Sequence, residues 1–352
     1  MKSSQCSSIL CEIIVILLFF IFSPSLAIAA QVDVIDGRYE GEKYVSIRGE
    51  IAEGDAAKVQ QAAKTAIQQG NNTLALLLSS GGGDIVEAMK IGRFARELLA
   101  TTYVYGNTLY LPNTPDGAQL EKDMKTHSQT RFHLRPVINE LGKDDVVQCY
   151  SACVLILYGG VNRYVSDNND FRNGIGKMKQ IPVIGIHRPY FDKVRYASFS
   201  PDEAKNKYKE LEELVRKYMQ EMGAPTSIID RMFRTASNNV DLIPAEQFKE
   251  FYHSKEPFFD EWLLAKCSGY GGTSALTAEE QREYADLEKH QKEAFMSGHI
   301  SSDEIYSTYA PPGMTRERAI YLNNKIKSHN DNTMACRESA VELYQSQWVN
   351  SH

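Results

Sequence analysis

Apolar and polar positions alternate along Tyr44-Val45-Ser46-Ile47-Arg48, the period-two pattern of a strand with one buried face. Past the helix start at Glu53-Gly54-Asp55, Ala56, Val59, Ala63 and Ile67 recur at helical spacing until Gly70-Asn71-Asn72 stops them. Thr73-Leu74-Ala75-Leu76-Leu77-Leu78 is then a continuous apolar run, as expected of a parallel strand buried on both faces. A second helix carries Ile85, Ala88, Met89, Gly92 and Ala95 on one face, and Thr101 to Tyr105 is a third strand. Strand and helix in alternation predict parallel βαβ layers, so the fold class is α/β.

From Asn107 to Gln148 that rhythm fails. The stretch is polar and holds Pro112, Pro115 and Pro136, so it reads as an insertion overhanging the rest. The core pattern returns at Ser151 to Leu157. Val165 to Lys179 is a second polar excursion, and Ile181 to His187 reads as a strand ending on the histidine. Asp202 to Met222 is an amphipathic helix with Tyr208, Leu211, Leu214 and Tyr218 as its apolar stripe. Shorter helices are expected at Thr226 to Phe233 and Pro244 to Tyr252. Gly269-Tyr270-Gly271-Gly272 marks a linker that opens a helical C-terminal extension over 269–352. The main α/β domain is accordingly 31–268.

The chain's beginning changes the setting. Lys2 precedes the unbroken apolar run Ile13 to Phe22, and Ser23-Pro24-Ser25-Leu26-Ala27-Ile28-Ala29-Ala30 comes next. A membrane-spanning helix needs roughly 20 apolar residues. A short apolar core, a proline break and an Ala-x-Ala end have the form of a signal peptide, covering 1–30 and cut after Ala29 or Ala30. An uncleaved N-terminal membrane anchor is the alternative. Either way the working part is expected in an exported, periplasmic or secreted setting, with no other stretch able to span a bilayer. The net charge of −6 carries no basic stripe, which argues against nucleic acid as a partner.

Four of the six cysteines lie beyond the leader. Cys267 with Cys336 is the natural disulfide, clamping the tail to the main domain. Cys149 and Cys153 are a second candidate pair, although a regular helix does not favour bridging that spacing. Their C-x3-C spacing lacks a second ligand pair and does not read as a metal site; no metal and no cofactor is expected.

The chemistry concentrates at three places. Ser151, in Cys149-Tyr150-Ser151-Ala152-Cys153, stands at a helix start, where the next N–H, that of Ala152, is free to donate. A serine there more often only caps the helix. Ser79-Ser80-Gly81-Gly82-Gly83-Asp84 follows a buried strand and can turn backbone N–H groups toward a ligand; the plainer reading is a tight strand-to-helix turn. It lacks the Gly-Lys-Ser/Thr ending of a phosphate loop. His187, in Gly185-Ile186-His187-Arg188-Pro189, closes a strand and could take a hydroxyl proton.

Taken in that order, the glycine loop, Tyr150-Ser151-Ala152 and Ile186-His187-Arg188-Pro189 resemble the Clp protease proteolytic subunit and its crotonase-like relatives. The stretch from Cys149 to Gly160 with His187 to Phe191 is more closely similar to exported Clp-like bacterial proteins. The resemblance covers about Tyr44 to Tyr252. It implies a crotonase-like ββα superhelix, Ser151 as nucleophile, His187 as general base, and an oxyanion hole from the N–H groups of Gly83 and Ala152. It also implies a homo-oligomer. Two departures stand out. Gly81 occupies a place where the family usually has proline, and the register of the family's third triad residue falls on Asn239 or Val240, with Asp241 adjacent. An asparagine can orient a histidine without stabilising its charged form as a carboxylate does.

The expected function is an exported serine hydrolase, a peptidase acting on polypeptide, with a Ser151–His187 dyad or a triad completed by Asn239 or Asp241. The alternative is a non-catalytic protein on the same fold that binds a peptide carboxylate or similar anion. Acyl-thioester chemistry is disfavoured by export, and a Ser-Lys mechanism would need a lysine that the sequence does not place beside Ser151.

Overall fold

A computed structural model describes residues 29–37, 40–105, 108–109, 147–166, 168–170, 179–191, 197–247, 257–267, 272–297 and 309–352. The apolar leader run and nearly all of the 107–148 insertion lie outside the described residues. So do most of the second polar excursion, residues 269–271 of the linker and much of the helix expected over Pro244 to Tyr252.

Five strands form the central sheet: β1 (Gln31–Asp36), β2 (Lys43–Arg48), β3 (Ala75–Ser79), β4 (Thr101–Tyr105) and β7 (Asn162–Ser166), side by side in that order. β1 runs antiparallel to β2, and β2, β3, β4 and β7 are mutually parallel. The crossovers between the parallel strands are helical, as the sequence alternation requires: α1 (Asp55–Gln69), α2 (Ile85–Glu97) and α3 (Ala152–Gly159). All eight residues of α3 are buried, which is why its sequence reads as an apolar block with no polar face. β1 is passed over by the sequence reading although Gln31-Val32-Asp33-Val34 alternates, with Val32 and Val34 packed against the core.

A second, small sheet sets the site. Its strands are β6 (Cys149–Tyr150), β10 (Ile184–Ile186) and β11 (Asp241–Ile243), ordered β11-β10-β6, with β10 parallel to β6 and antiparallel to β11. It joins the main sheet where Ser80 bridges Cys149 just past the end of β3. The strand expected over Ile181 to His187 is divided. Lys179–Ile181 is β9, which pairs with β8 (Asn168–Asp170), itself beside β5 (Thr108–Leu109). Pro182 has no N–H to give a ladder, so pairing resumes only at Ile184 and leaves His187 one residue beyond the strand.

Helices α4 (Pro201–Glu221) and α5 (Thr226–Arg234) come next. Helix α4 opens with a full capping box between Ser200 and Glu203. Its buried face is Ala204, Leu211, Val215, Tyr218 and Met219, so the expected stripe is displaced: Leu214 is exposed. Tyr218 anchors it, donating its hydroxyl to the Leu155 carbonyl of α3 at 2.7 Å.

The C-terminal part contains α6 (Pro257–Cys267), α7 (Ala278–Met296) and the 36-residue α8 (Arg316–Ser351). Two disulfides are closed, Cys267–Cys336 and Cys149–Cys153, and they mark a protein that matures outside the reducing cytoplasm. Among the described residues no helix is long and apolar enough to cross a membrane. The first bridge ties α6 to α8. Helix α8 then returns to the α/β core, where buried Gln345 accepts from Leu74 N–H at 2.9 Å and donates to the Leu98 carbonyl at 2.7 Å. Trp348 packs edge-on against Phe94 of α2. Gln345→Ala strands a buried donor and a buried acceptor, and is expected to cost about 2–4 kcal/mol in urea unfolding, whereas a tail that is merely tethered would lose nothing measurable.

Candidate active site

Ser151 occupies the one-residue turn between β6 and α3, with its backbone at φ 55°, ψ −121°. Among the described residues Leu99 is the only other non-glycine at positive φ. An L-residue held there costs on the order of 1–3 kcal/mol, so the surroundings must impose it. They do so by hydrogen bonds on both sides. Tyr150 N–H donates to the Ser80 carbonyl at 3.0 Å, and Ser151 N–H donates to the Gly185 carbonyl at 2.9 Å. Across the turn, the Cys149–Cys153 bridge holds Cα atoms 5.2 Å apart. The objection from regular helix geometry does not apply, because Cys149 is in a strand and only Cys153 is helical. The sharp elbow at Ser151 brings the two together.

No N–H of α3 donates to the Ser151 hydroxyl, so this serine is not a helix cap. It is partly exposed at the mouth of the helix, beside the glycine loop. Gly82 and Gly83 have φ of 112° and 131°, conformations open to glycine. A Cβ on Gly82 would sit 2.7 Å from Ser151 Cβ and 3.2 Å from Ala152 N. A Cβ on Gly83 would sit 2.1 Å from the Ile51 carbonyl oxygen. The loop is thus pressed against the serine by one glycine and against the Ile51 backbone by the next. Ile51 fastens it from both ends, donating to the Gly82 carbonyl at 2.8 Å and accepting from Asp84 N–H at 2.7 Å. The Gly82 N–H is spent internally on Ser80 Oγ at 3.1 Å. Among the described residues, the N–H groups of Gly83 and Ala152 have no hydrogen-bond acceptor.

His187 follows β10, the strand parallel to β6, so it leaves the small sheet at the same edge as Ser151. The residue is buried, at 9% exposure, and its ring lies 5.7 Å from that of Tyr190 between centroids. Nδ1 lies 3.0 Å from the Arg188 carbonyl oxygen. A carbonyl can only accept, so Nδ1 is the donor in this contact, which leaves Nε2 as the nitrogen able to accept in the neutral ring. Arg188 is itself held on its other side, its N–H donating to the carbonyl of Thr235, just past α5, at 3.0 Å. Ser151 and His187 make no direct hydrogen bond to each other among the described residues.

Neither residue expected to complete a triad is hydrogen-bonded to His187. Asn239 is exposed in a turn, its N–H donating to the Ala236 carbonyl at 2.9 Å. Asp241 pairs with Ile186 across the sheet, and its carboxylate is taken by Arg231, whose Nε and Nη2 both donate to it, the latter at 2.8 Å. That hydrogen bond raises the Arg231 pKa above its ordinary value, although burial acts the other way. Asp241→Asn is therefore expected to cost stability of about 1 kcal/mol, for a partly exposed pair, while changing serine labelling less than about threefold. A hundredfold loss of labelling would instead put Asp241 in service to the histidine.

Sequence reasoning missed three participants: the close approach of Gly82, the strap formed by Ile51, and the Arg188 carbonyl. All three act through backbone atoms, which side-chain patterns do not report.

No family model matches the chain, and no curated protein matches it in sequence. Among solved structures it is similar to a mutant of the 1510-N membrane-bound stomatin-specific protease, at 13% identity and a TM-score of 0.33, over 64% of this chain and 83% of that one.

Proposed function

We propose that this protein is an exported serine hydrolase acting on polypeptide, built on a Clp/crotonase-like α/β domain. The observation that carries the reading is Ser151 itself: a hydroxyl that caps no helix N–H, held by its neighbours at a strained strand-to-helix elbow with φ 55°, ψ −121°. In this reading Ser151 Oγ attacks the substrate carbonyl while His187 Nε2 takes its proton. The Gly83 and Ala152 N–H groups hold the developing oxyanion, supported by the start of α3. His187 then returns the proton to the leaving amine, and water releases the acyl group. The Arg188 carbonyl supplies the orienting role of the third triad member. Because a carbonyl dipole stabilises an imidazolium less than a carboxylate does, slow turnover is expected. Exposed Tyr190, Val240 and Leu242 border this edge and offer apolar contact to a polypeptide. A cleaved leader, a periplasmic or secreted setting, assembly into a homo-oligomer and division at residue 268 belong to the same reading.

A fluorophosphonate probe tests it. The wild-type protein is expected to be labelled, and Ser151→Ala to be unlabelled with an unchanged circular dichroism spectrum. Equal labelling of both removes Ser151 as the nucleophile.

A second reading, a non-catalytic binder of peptide carboxylates, is favoured by one observation: among the described residues Ser151 and His187 are not hydrogen-bonded to each other and no carboxylate supports the ring. It expects no labelling of either protein, together with measurable binding of a C-terminal peptide that Gly82→Ala abolishes.

A further inference from the structure

Asp55, the first residue of α1, is fully buried, and a buried carboxylate is costly unless every oxygen is satisfied. Its Oδ1 receives Lys58 Nζ at 2.7 Å. Its Oδ2 receives two backbone donors, Ala52 N–H at 2.8 Å and Ala30 N–H at 3.0 Å. Ala30 lies 25 residues upstream and is 3% exposed, so a segment from before the first strand has been drawn in to reach this carboxylate. Ala29 pairs beside it with Glu50, the residue preceding Ile51.

Ala27-Ile28-Ala29 places small residues one and three positions before the Ala29–Ala30 bond, the pattern a leader peptidase reads. One residue further on, the third position back is Ile28, which is not small. We propose that a leader peptidase cuts the Ala29–Ala30 bond and that the freed α-amino group of Ala30 becomes a second charged partner of Asp55, beside Lys58, locking the Ile51 strap. Water supplies the hydroxyl that ends the Ala29 carboxylate and the hydrogen that completes the Ala30 amine, which takes a further proton from solvent to become ammonium. The cut precedes docking, because Ala30 is buried once it reaches Asp55. A chain begun at Gln31 loses this donor and leaves Asp55 Oδ2 with Ala52 alone. A neutral N–H donor to the carboxylate thus becomes a cationic one at the same atom.

The consequence reaches the glycine loop. The turn that Asp55 closes, through Ala52, carries Ile51, whose backbone brackets Gly82 to Asp84. The leader itself rests on the proposed export, but none of the measurements that test the ion pair uses catalysis, so Ser151 can prove inert and leave this inference standing.

The full chain is to be expressed in an exporting host and its amino terminus sequenced. Ala30 is the expected first residue; Gln31, or a retained leader, overturns the assignment. Two otherwise identical proteins, beginning at Ala29 and at Ala30, are then compared. The one beginning at Ala30 is expected to melt about 2–4 °C higher, since only it carries the ammonium at this position. Its Ile51 and Asp84 amides are expected to exchange with deuterium several-fold more slowly. Equal melting temperatures remove the ion pair, and equal exchange removes its hold on the strap. In Asp55→Asn the melting difference is expected to vanish; if it persists, the partner is not Asp55. Should that variant fail to fold, the wild-type exchange comparison decides.

Discussion

Ser151→Gly is expected to abolish fluorophosphonate labelling and, at the same time, to raise the melting temperature. The two effects have one origin. At φ 55°, ψ −121° the serine backbone is held in a conformation that costs an L-residue on the order of 1–3 kcal/mol, and glycine adopts it freely. Glycine returns part of that gain through the greater entropy of the unfolded chain, about 0.5–1 kcal/mol, so the net stabilisation is about 1 kcal/mol. Calorimetry and labelling on the same sample check both halves. A serine kept at this elbow only for packing would give the opposite: replacement by glycine would lower the melting temperature. Stability gained by removing a reactive group is the usual mark of a strained functional site.

Gly83→Ala is expected to be the most damaging single change near the site. The new Cβ meets the Ile51 carbonyl oxygen at 2.1 Å and its nitrogen at 2.6 Å, both backbone atoms of a fixed turn, and φ 131° is strained for alanine even without the clash. A loss above about 3 kcal/mol is expected, with the glycine loop driven off Ile51 and labelling lost. Gly81→Ala is the control. Its nearest neighbour is Gln148 Nε2 at 3.5 Å, ordinary contact with the end of a movable side chain. That variant is expected to be neutral or stabilised by up to about 1 kcal/mol through the unfolded chain. Three consecutive glycines should therefore give sharply unequal results in urea unfolding. Similar effects at Gly81 and Gly83 would show that the loop does not depend on its closeness to Ile51.

The loss of a buried donor-acceptor pair at Gln345 and the small effect at Asp241 probe different levels. One asks whether α8 is part of the core, and the other whether an available carboxylate serves the histidine. The tail illustrates how distant pairing hides from local patterns. Nothing in the polar stretch around Gln345 announces that its amide will meet Leu74 and Leu98, 271 and 247 residues away. The same holds for Cys149 and Cys153, whose bridge depends on a strand-to-helix elbow that no helical periodicity describes.

Much of the layered core was legible because burial imposes a period. Helices α1 and α2 write their buried faces into the spacing of apolar residues, β3 shows as an unbroken apolar run, and β2, β3 and β4 lie within about two residues of the reading, although β2 is buried on both faces, Ser46 included, where alternation gave it one. The candidate groups were legible as well, since glycines, hydroxyl and imidazole each stand at an element end where the pattern breaks. Tertiary structure alone decided how those ends meet. It set Gly82 rather than Gly81 against Ser151, spent Asp241 on Arg231, gave His187 a backbone carbonyl for a partner, and brought Ala30 to Asp55. Side-chain character is written residue by residue, whereas a backbone dihedral or a carbonyl's direction follows from the packing of segments far apart in the chain.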